Sequence, residues 1–405
     1  MKHRNIPVFI LIFCSLLFAQ SANSVYTLFG VGQIIDDSYG INRVLGGTGI
    51  AFHSGTTLNF KNPAAYLGTN QNSFALEIGL YGLNQHSGNG SVKQNIADMN
   101  LSYISLSSYF DWWWAFNLGM VPFSNVEYNI NTLSQMEGSP STYEKSFNGT
   151  GGLNRMFFGN SFIVNKHLNA GFNLSYIFGS VTQTEKASES TDFSDYQLVD
   201  EINAKGVYFD YGLQYSIYKN TRWQYTLGLT CGARKILSTS HDLLLTDDDS
   251  VIELENDQTG HHVEIPQKLG LGWAVIQKDH FRLGLDYEFN QWSHIRFNNP
   301  KLATRNSHRF SFGLEYGHPS NPNSGLLDRL LYRVGGFYKN SYLVIDNTPI
   351  DSWGVNVGFG IPLNKINLLN ISLEYGQEGT LANNLVKNNY YGIYTNFSLF
   401  EFLAR

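Results

Sequence analysis

Charge is scarce in this 405-residue chain. Asp, Glu, Lys and Arg together make up 15% of it, against roughly 25% in an ordinary soluble domain. The net charge is −6, and no basic run follows the first residues, so nucleic acid is not an expected partner. Long apolar runs are missing too. Beyond the N-terminal leader the densest is Trp112 to Phe116, far below the roughly 20 residues a membrane-spanning helix needs. There are 2 cysteines; Cys14 sits in the leader, which leaves Cys231 without an intramolecular partner. No Gly-x-Ser-x-Gly, His-Glu-x-x-His or phosphate-loop motif occurs, so neither catalytic residues nor cofactors are expected. Metal binding is not expected either. Asp247, Asp248, Asp249, Glu253, Glu255 and Asp257 lack the spacing of a calcium loop, and His261-His262 has no further ligand nearby.

What is abundant points one way. Aromatic residues reach 15% and glycines number 39, while mean hydropathy is −0.20. A wall that is apolar outside and polar inside has this composition. The N-terminus reads as an export signal. Lys2, His3 and Arg4 are followed by apolar Ile6 to Phe18 and then small residues, which predicts cleavage after Ala19, with Ser24 as the latest alternative. Phe13 before Cys14 argues against lipidation.

Alternation with a period of two dominates the mature chain, as strands require. In Phe281–Asn290 the odd positions are Phe, Leu, Leu, Tyr and Phe, and the even ones Arg, Gly, Asp, Glu and Asn. About fourteen such strands are predicted: 74–85, 97–110, 112–130, 151–165, 168–186, 206–219, 222–245, 264–277, 281–295, 308–318, 330–343, 352–363, 369–380 and 388–400. Tight turns at Asp111, Lys166–His167, Asn220–Thr221 and Lys278–Asp279 alternate with long connections, the pattern of an outer-membrane barrel with short periplasmic turns. The connection 319–329 is the misfit, being long on the periplasmic side. Tyr and Trp at strand ends, including Trp112 to Trp114, suit interfacial girdles. The expected fold is an all-β antiparallel transmembrane barrel over residues 74–400, with both termini periplasmic. Leu285 should touch lipid, and Ser at lumen-facing Gly284 should cost much less than Arg at Leu285.

Residues 25–73 are Gly-rich and weakly alternating, and too many for a bare linker. A barrel this wide has a lumen unless something fills it, so this segment is expected to plug the bore; a periplasmic arm is the alternative. Gly46-Gly47-Thr-Gly-Ile-Ala51 followed by Asn62-Pro63-Ala64-Ala65 resembles the FadL family of outer-membrane transporters for hydrophobic compounds, in the branch common in Bacteroidetes-type bacteria. Pro266 to Trp273, Leu285 to Trp292, Tyr332 to Tyr338 and Leu373 to Gly379 resemble it as well. The resemblance implies a hatch formed by Asn42, Arg43, Gly46, Gly47, Asn62, Pro63 and Ala64, and passive uptake of hydrophobic or amphipathic molecules such as long-chain fatty acids. Its other branch implies a PorV-type scaffold of type IX secretion. The implied partners are the bilayer, the ligand, the barrel assembly machinery and, on the second reading, secretion-system proteins. The chain departs from the pattern at its end, where Phe402 is followed by Leu403-Ala404-Arg405.

Alternation points Glu77, Arg282, Asp286, Glu288, Arg309, Glu315, Arg333 and Glu374 into the lumen. They are expected to form an ion-pair network that docks the hatch or meets a ligand headgroup, with Asn42 and Arg43 meeting Glu77 or Glu374.

Overall fold

The computed structural model describes residues 24–402, apart from 54–56, 69–72, 90–92, 136–141, 189–195, 220–221, 248–249, 258–262, 279, 296–301, 318–324 and 365–366. The predicted leader, most of Asp247–Asp249 and His261-His262 therefore lie outside the described residues.

The strands run in chain order as β1 (Gln33–Ile34), β2 (Ser73–Gly88), β3 (Lys93–Asp111), β4 (Trp114–Pro122), β5 (Ser124–Gln135), β6 (Thr142–Ile163) and β7 (Leu168–Ser188). Then follow β8 (Tyr196–Tyr218), β9 (Trp223–Gly232), β10 (Lys235–Ile236), β11 (Ser238–Asp247), β12 (Ser250–Asp257), β13 (Glu264–Ile265) and β14 (Gln267–Gln277). The chain ends with β15 (Phe281–Gln291), β16 (Leu302–Thr304), β17 (Ser307–Tyr316), β18 (Leu331–Ile345), β19 (Thr348–Pro362), β20 (Leu368–Gly379) and β21 (Lys387–Phe402). Pairing runs antiparallel from β2 round to β21, and β21 pairs back onto β2 from Ser73↔Phe402 to Gly88↔Lys387. This closes a ring of fourteen staves, because β4 and β5 form one stave and β9 with β11 another. Closure leaves no unpaired edge in the hydrocarbon layer, which a membrane sheet requires.

Side-chain exposure follows the sequence alternation. On β15, Leu285 is 50% exposed on the outer face while its neighbour Asp286 is 5% exposed on the inner one. Outward Phe281 to Phe289 spans nine residues, the length a tilted strand needs to cross a bilayer. Trp112 and Trp113 are exposed at the β3–β4 turn.

Two predicted strands are interrupted. Residues 112–130 break at Phe123, whose N–H goes to the Leu153 carbonyl (2.7 Å) and whose carbonyl accepts from Ile35 N (3.0 Å). Residues 222–245 break before Leu237, which turns inward against Leu153, Ile177, Ala204, Tyr208 and Ile265. Apolar insertion into a local core outweighs ladder continuity at both points. The predicted long connections are also shorter than expected, since the hairpins continue as strands past the bilayer: β7 and β8 pair as far as Ala187↔Tyr196. β5, β6, β7, β8, β11 and β12 thus rise together as a six-stranded blade on one side of the barrel. The connection before β18 carries one helical turn, Leu326–Arg329.

The N-terminal segment starts at the blade end. Ser24 N donates to the Glu127 carbonyl (3.1 Å) and Ser24 Oγ accepts from Asn388 Nδ2 (3.1 Å). From there it runs down the inner face, through a helical turn at Ile41–Val44, towards the tight-turn end, where it enters β2 at Ser73.

Candidate functional site in the bore

Inward-facing glycines let the segment approach the wall. Gly284, Gly313 and Gly335 lie in direct register on β15, β17 and β18, as do Gly228 and Gly272 on β9 and β14. A Cβ on Gly284 would meet the Phe52 ring at 2.5 Å, and one on Gly335 would strike the backbone of Leu45 and Gly46. A Ser at Gly284 must therefore displace the Phe52 ring. The position faces a packed contact and not open lumen.

Polar contacts fix the segment around its circumference. Asp36 bonds Arg309 of β17 (2.7 Å) and Lys339 of β18 (3.1 Å). Asp37 bonds Arg155 of β6 and Lys268 of β14, both at 2.7 Å. Lys61 pairs with Glu288. Arg43 meets Glu374 (2.7 Å) and donates to the Tyr394 hydroxyl (2.6 Å). Asp286 accepts from the Gly49 (2.6 Å) and Ile50 (2.9 Å) amides, and Arg309 also donates to the Gly46 carbonyl (3.0 Å). Glu77 does not reach Asn42 or Arg43. It accepts from Leu58 N (2.7 Å), Ser398 Oγ (2.7 Å) and Tyr103 OH (3.0 Å). Asn42 meets no carboxylate and instead donates to the Thr48 carbonyl and Asn59 Oδ1. Glu315 bridges Arg282 (3.2 Å) and Arg333 (2.7 Å) along the wall.

At the bend, Asn62 Nδ2 donates to the Ile50 carbonyl (2.8 Å) and the Leu213 carbonyl (3.1 Å), and its Oδ1 accepts from Ala64 N (3.0 Å). Pro63 opens a 3-10 turn, Pro63–Gly68, as its fixed φ allows. Its backbone and that of Ala64 lie over Gly171. Gly46 and Gly47 have φ of +67° and +90°, a region only glycine occupies at low cost, and this turn brings the Gly46 carbonyl to Arg309.

The sequence reading missed Asp36, Asp37, Lys61, Arg155, Lys268 and Lys339. The adjacent Asp pair ahead of a Gly-rich stretch was their only signal. Burial opposes ionisation of Asp36 and Asp37, yet their cations overcome it: Lys339, Arg309 and Lys61 hold Asp36, and Arg155, Lys268 and Lys61 hold Asp37, well below the usual carboxylate range. Burial lowers the Lys61 ammonium despite Glu288. Burial, with Arg282 nearby, lowers His53 to about 4.

The wall itself has a seam. β3 pairs with β4 only from Asp111 to Ile104. Above that, β5 turns to the segment, pairing as Gln33↔Asn125 and Ile34↔Ser124. Thr27 adds a side-chain bond to the Glu127 amide (3.1 Å). Among the described residues β3 above Ile104 has only β2 as its strand neighbour. Behind the seam lies a cavity of about 210 Å³ whose lining includes Tyr39, Arg43, Tyr81, Asp98, Pro122 and Tyr394. A larger hollow, about 1,020 Å³, lies among outward residues such as Leu271, Trp273, Leu285 and Phe312. It belongs to the lipid-contact surface, not to the bore.

The model of the BamG family matches residues 1–402. The chain belongs to the BamG family. No curated protein matches it. Among solved structures this BamG-family chain is similar to the P. putida toluene transporter TodX, at 16% identity and a TM-score of 0.60, covering 92% of this chain and 100% of that one. It is also similar to the Ralstonia pickettii toluene transporter TbuX (15%, TM-score 0.57, 90% and 98% covered). A third is a Pseudomonas aeruginosa FadL homologue (12%, TM-score 0.57, 92% and 99%). The BamG-family chain thus shares the FadL-type β-barrel fold. No helix among its described residues is long and apolar enough to cross a membrane, which says nothing of a barrel that crosses with strands.

Proposed function

We propose that this BamG-family protein is a passive outer-membrane conduit for hydrophobic or amphipathic small molecules, with residues 25–68 as its gate. The observation that carries the reading is the seam between β3 and β5. There a segment, and not a neighbouring stave, fills the wall in front of a tyrosine-lined cavity. A ligand dissolved in the bilayer can reach that cavity sideways if Ser24–Ile34 shifts, and hydroxyls and Arg43 suit a polar headgroup. At about 210 Å³ the cavity is smaller than the pockets that enclose drug-sized ligands. A single-ring compound fits within it, and a long-chain fatty acid would extend through the seam. In this reading the tight-turn end, with Phe402, faces the periplasm, while Ser24 lies in the bore towards the cell exterior, a departure from the expectation that both termini are periplasmic. The toluene transporters of like fold support the choice of hydrophobic cargo.

Deleting residues 25–68 should leave a heat-modifiable barrel that conducts ions freely in planar bilayers. A deleted barrel as tightly closed as the full chain would show that this segment is not the gate. Uptake of toluene and of a long-chain fatty acid into vesicles then separates the two cargo sizes.

A second reading, an adaptor for secretion or barrel-assembly proteins, is favoured by the one-sided blade. Removing the blade strands above the bilayer should abolish partner recovery on this reading and leave uptake intact on the first.

A further inference from the structure

At the root of the blade, on its outer side, is a hollow of about 680 Å³. Three strands build it in register. Phe178, Lys205 and Ser238 form one rung across β7, β8 and β11, and Ser180, Asn203 and Ser240 form the next rung above. Below them the Tyr176 ring stacks on that of Phe178 at 5.6 Å. Lys205 continues the outward row of Val207, Phe209, Tyr211 and Leu213 on β8, all exposed. The row therefore changes from apolar to cationic at this level, where aromatic residues mark the membrane boundary. Among the described residues Lys205 takes part in no ion pair. The next carboxylate up the row, Glu201, accepts from Asn203 Nδ2 (3.3 Å).

We propose that this hollow binds the headgroup of a phosphorylated glycolipid of the outer leaflet. The chemistry is divided along the hollow. Acyl chains lie against Tyr176 and the apolar row below it. A phosphate meets the Lys205 ammonium, which sits where a lysine on an apolar stem reaches the interface. Sugar hydroxyls face Ser180, Asn203 and Ser240, which supply both donors and acceptors. The assignment rests on the blade end facing the cell exterior, as in the proposed function, but not on transport.

Native mass spectrometry of the full-length mature protein in detergent tests it, with bisphosphorylated lipid A, phosphatidylglycerol and phosphatidylethanolamine as probes. Lipid A should be retained above both phospholipids. Lys205→Ala should weaken its retention about fivefold, the factor matching about 1 kcal/mol for one basic residue at an anionic membrane surface. Lys205→Arg should keep it, and Lys93→Ala, at a distant hairpin, should leave it unchanged. Heat-modifiable mobility of each variant checks folding. Retention by Lys205→Ala at the unmodified level, or equal retention of either phospholipid, overturns the assignment. Loss of lipid A retention with intact toluene uptake would leave the conduit reading standing.

Discussion

Adjacent residues on one strand meet different solvents here, and substitutions at Leu285 and Gly284 should separate them. Leu285→Arg places a charge at mid-bilayer and should destabilise the barrel by about 2–4 kcal/mol in reversible unfolding from lipid vesicles. Gly284→Ser should cost measurably but less than that in the same unfolding, because it must displace the Phe52 ring, and the displacement should be seen as raised bilayer conductance. Gly335→Ala should raise conductance more, because rigid backbone at Leu45 and Gly46 opposes it. The acidic and basic anchors make the gate sensitive to pH. His53 titrates near 4 when docked and near 6.5 when released, so docking it is favoured fully above pH 6.5 and progressively less as pH falls to 4. Asp36 and Asp37, held low when docked, lose their contribution only below the ordinary carboxylate range near pH 3.9. Conductance should therefore rise in two steps on acidification, and His53→Asn should remove the first alone. A single rise unaffected by that variant would place the sensor elsewhere. Asp36 was invisible to sequence reasoning because its partners lie 273 and 303 positions away. The inward carboxylates and arginines were legible, since alternation alone orients Asp286 and Glu374.

Elements were readable where local rules suffice. The fourteen staves follow from period two, and the turns at Asp111 and Lys166–His167 from their brevity. What alternation could not show is a strand that changes partner without changing pattern. Residues 112–130 alternate through Phe123, yet β5 leaves β3 there because the segment offers it backbone groups. The blade was hidden for a related reason: polar residues that read as loops can still pair once a neighbouring strand holds them in register. β1 is the element on which the seam depends. Ile35→Pro removes the amide that donates to the Phe123 carbonyl at the end of the short β1–β5 pairing and should open the seam while leaving β2–β21 closure intact. Toluene entry into vesicles should speed up while heat-modifiable mobility stays unchanged. Unchanged entry would show that the pairing is incidental to the path.

At the scale of the whole molecule, an apolar belt, a welded interior and a one-sided blade coexist in one closed ring. The belt sets its depth in the bilayer. The ion pairs and glycine contacts make the segment a structural member of the barrel as well as its proposed gate. Cutting Asp36→Asn with Asp37→Asn strands Arg155, Lys268, Arg309 and Lys339 without their main counter-ions. A buried unpaired charge costs more than the pair it came from contributed, so this double variant should lower the midpoint of thermal mobility shift more than either Gly335→Ala or Ile35→Pro.

The pairing of Ser73 with Phe402 has a consequence for assembly. The last strand made is the one that seals the ring against the first, so the contents must be aboard before the lid is stitched, like a ship built in its bottle. Arg43 reaches Glu374 on β20 and Tyr394 on β21, the two strands that arrive last. The segment can therefore serve as a mandrel on which those strands are wound and against which their register is read. Arg43→Ala should then slow ring closure during assembly beyond its effect on the finished barrel, measured as the delay before a cysteine pair at positions 76 and 399 can be cross-linked. An unaltered delay would mean that the sheet rolls up without consulting its cargo.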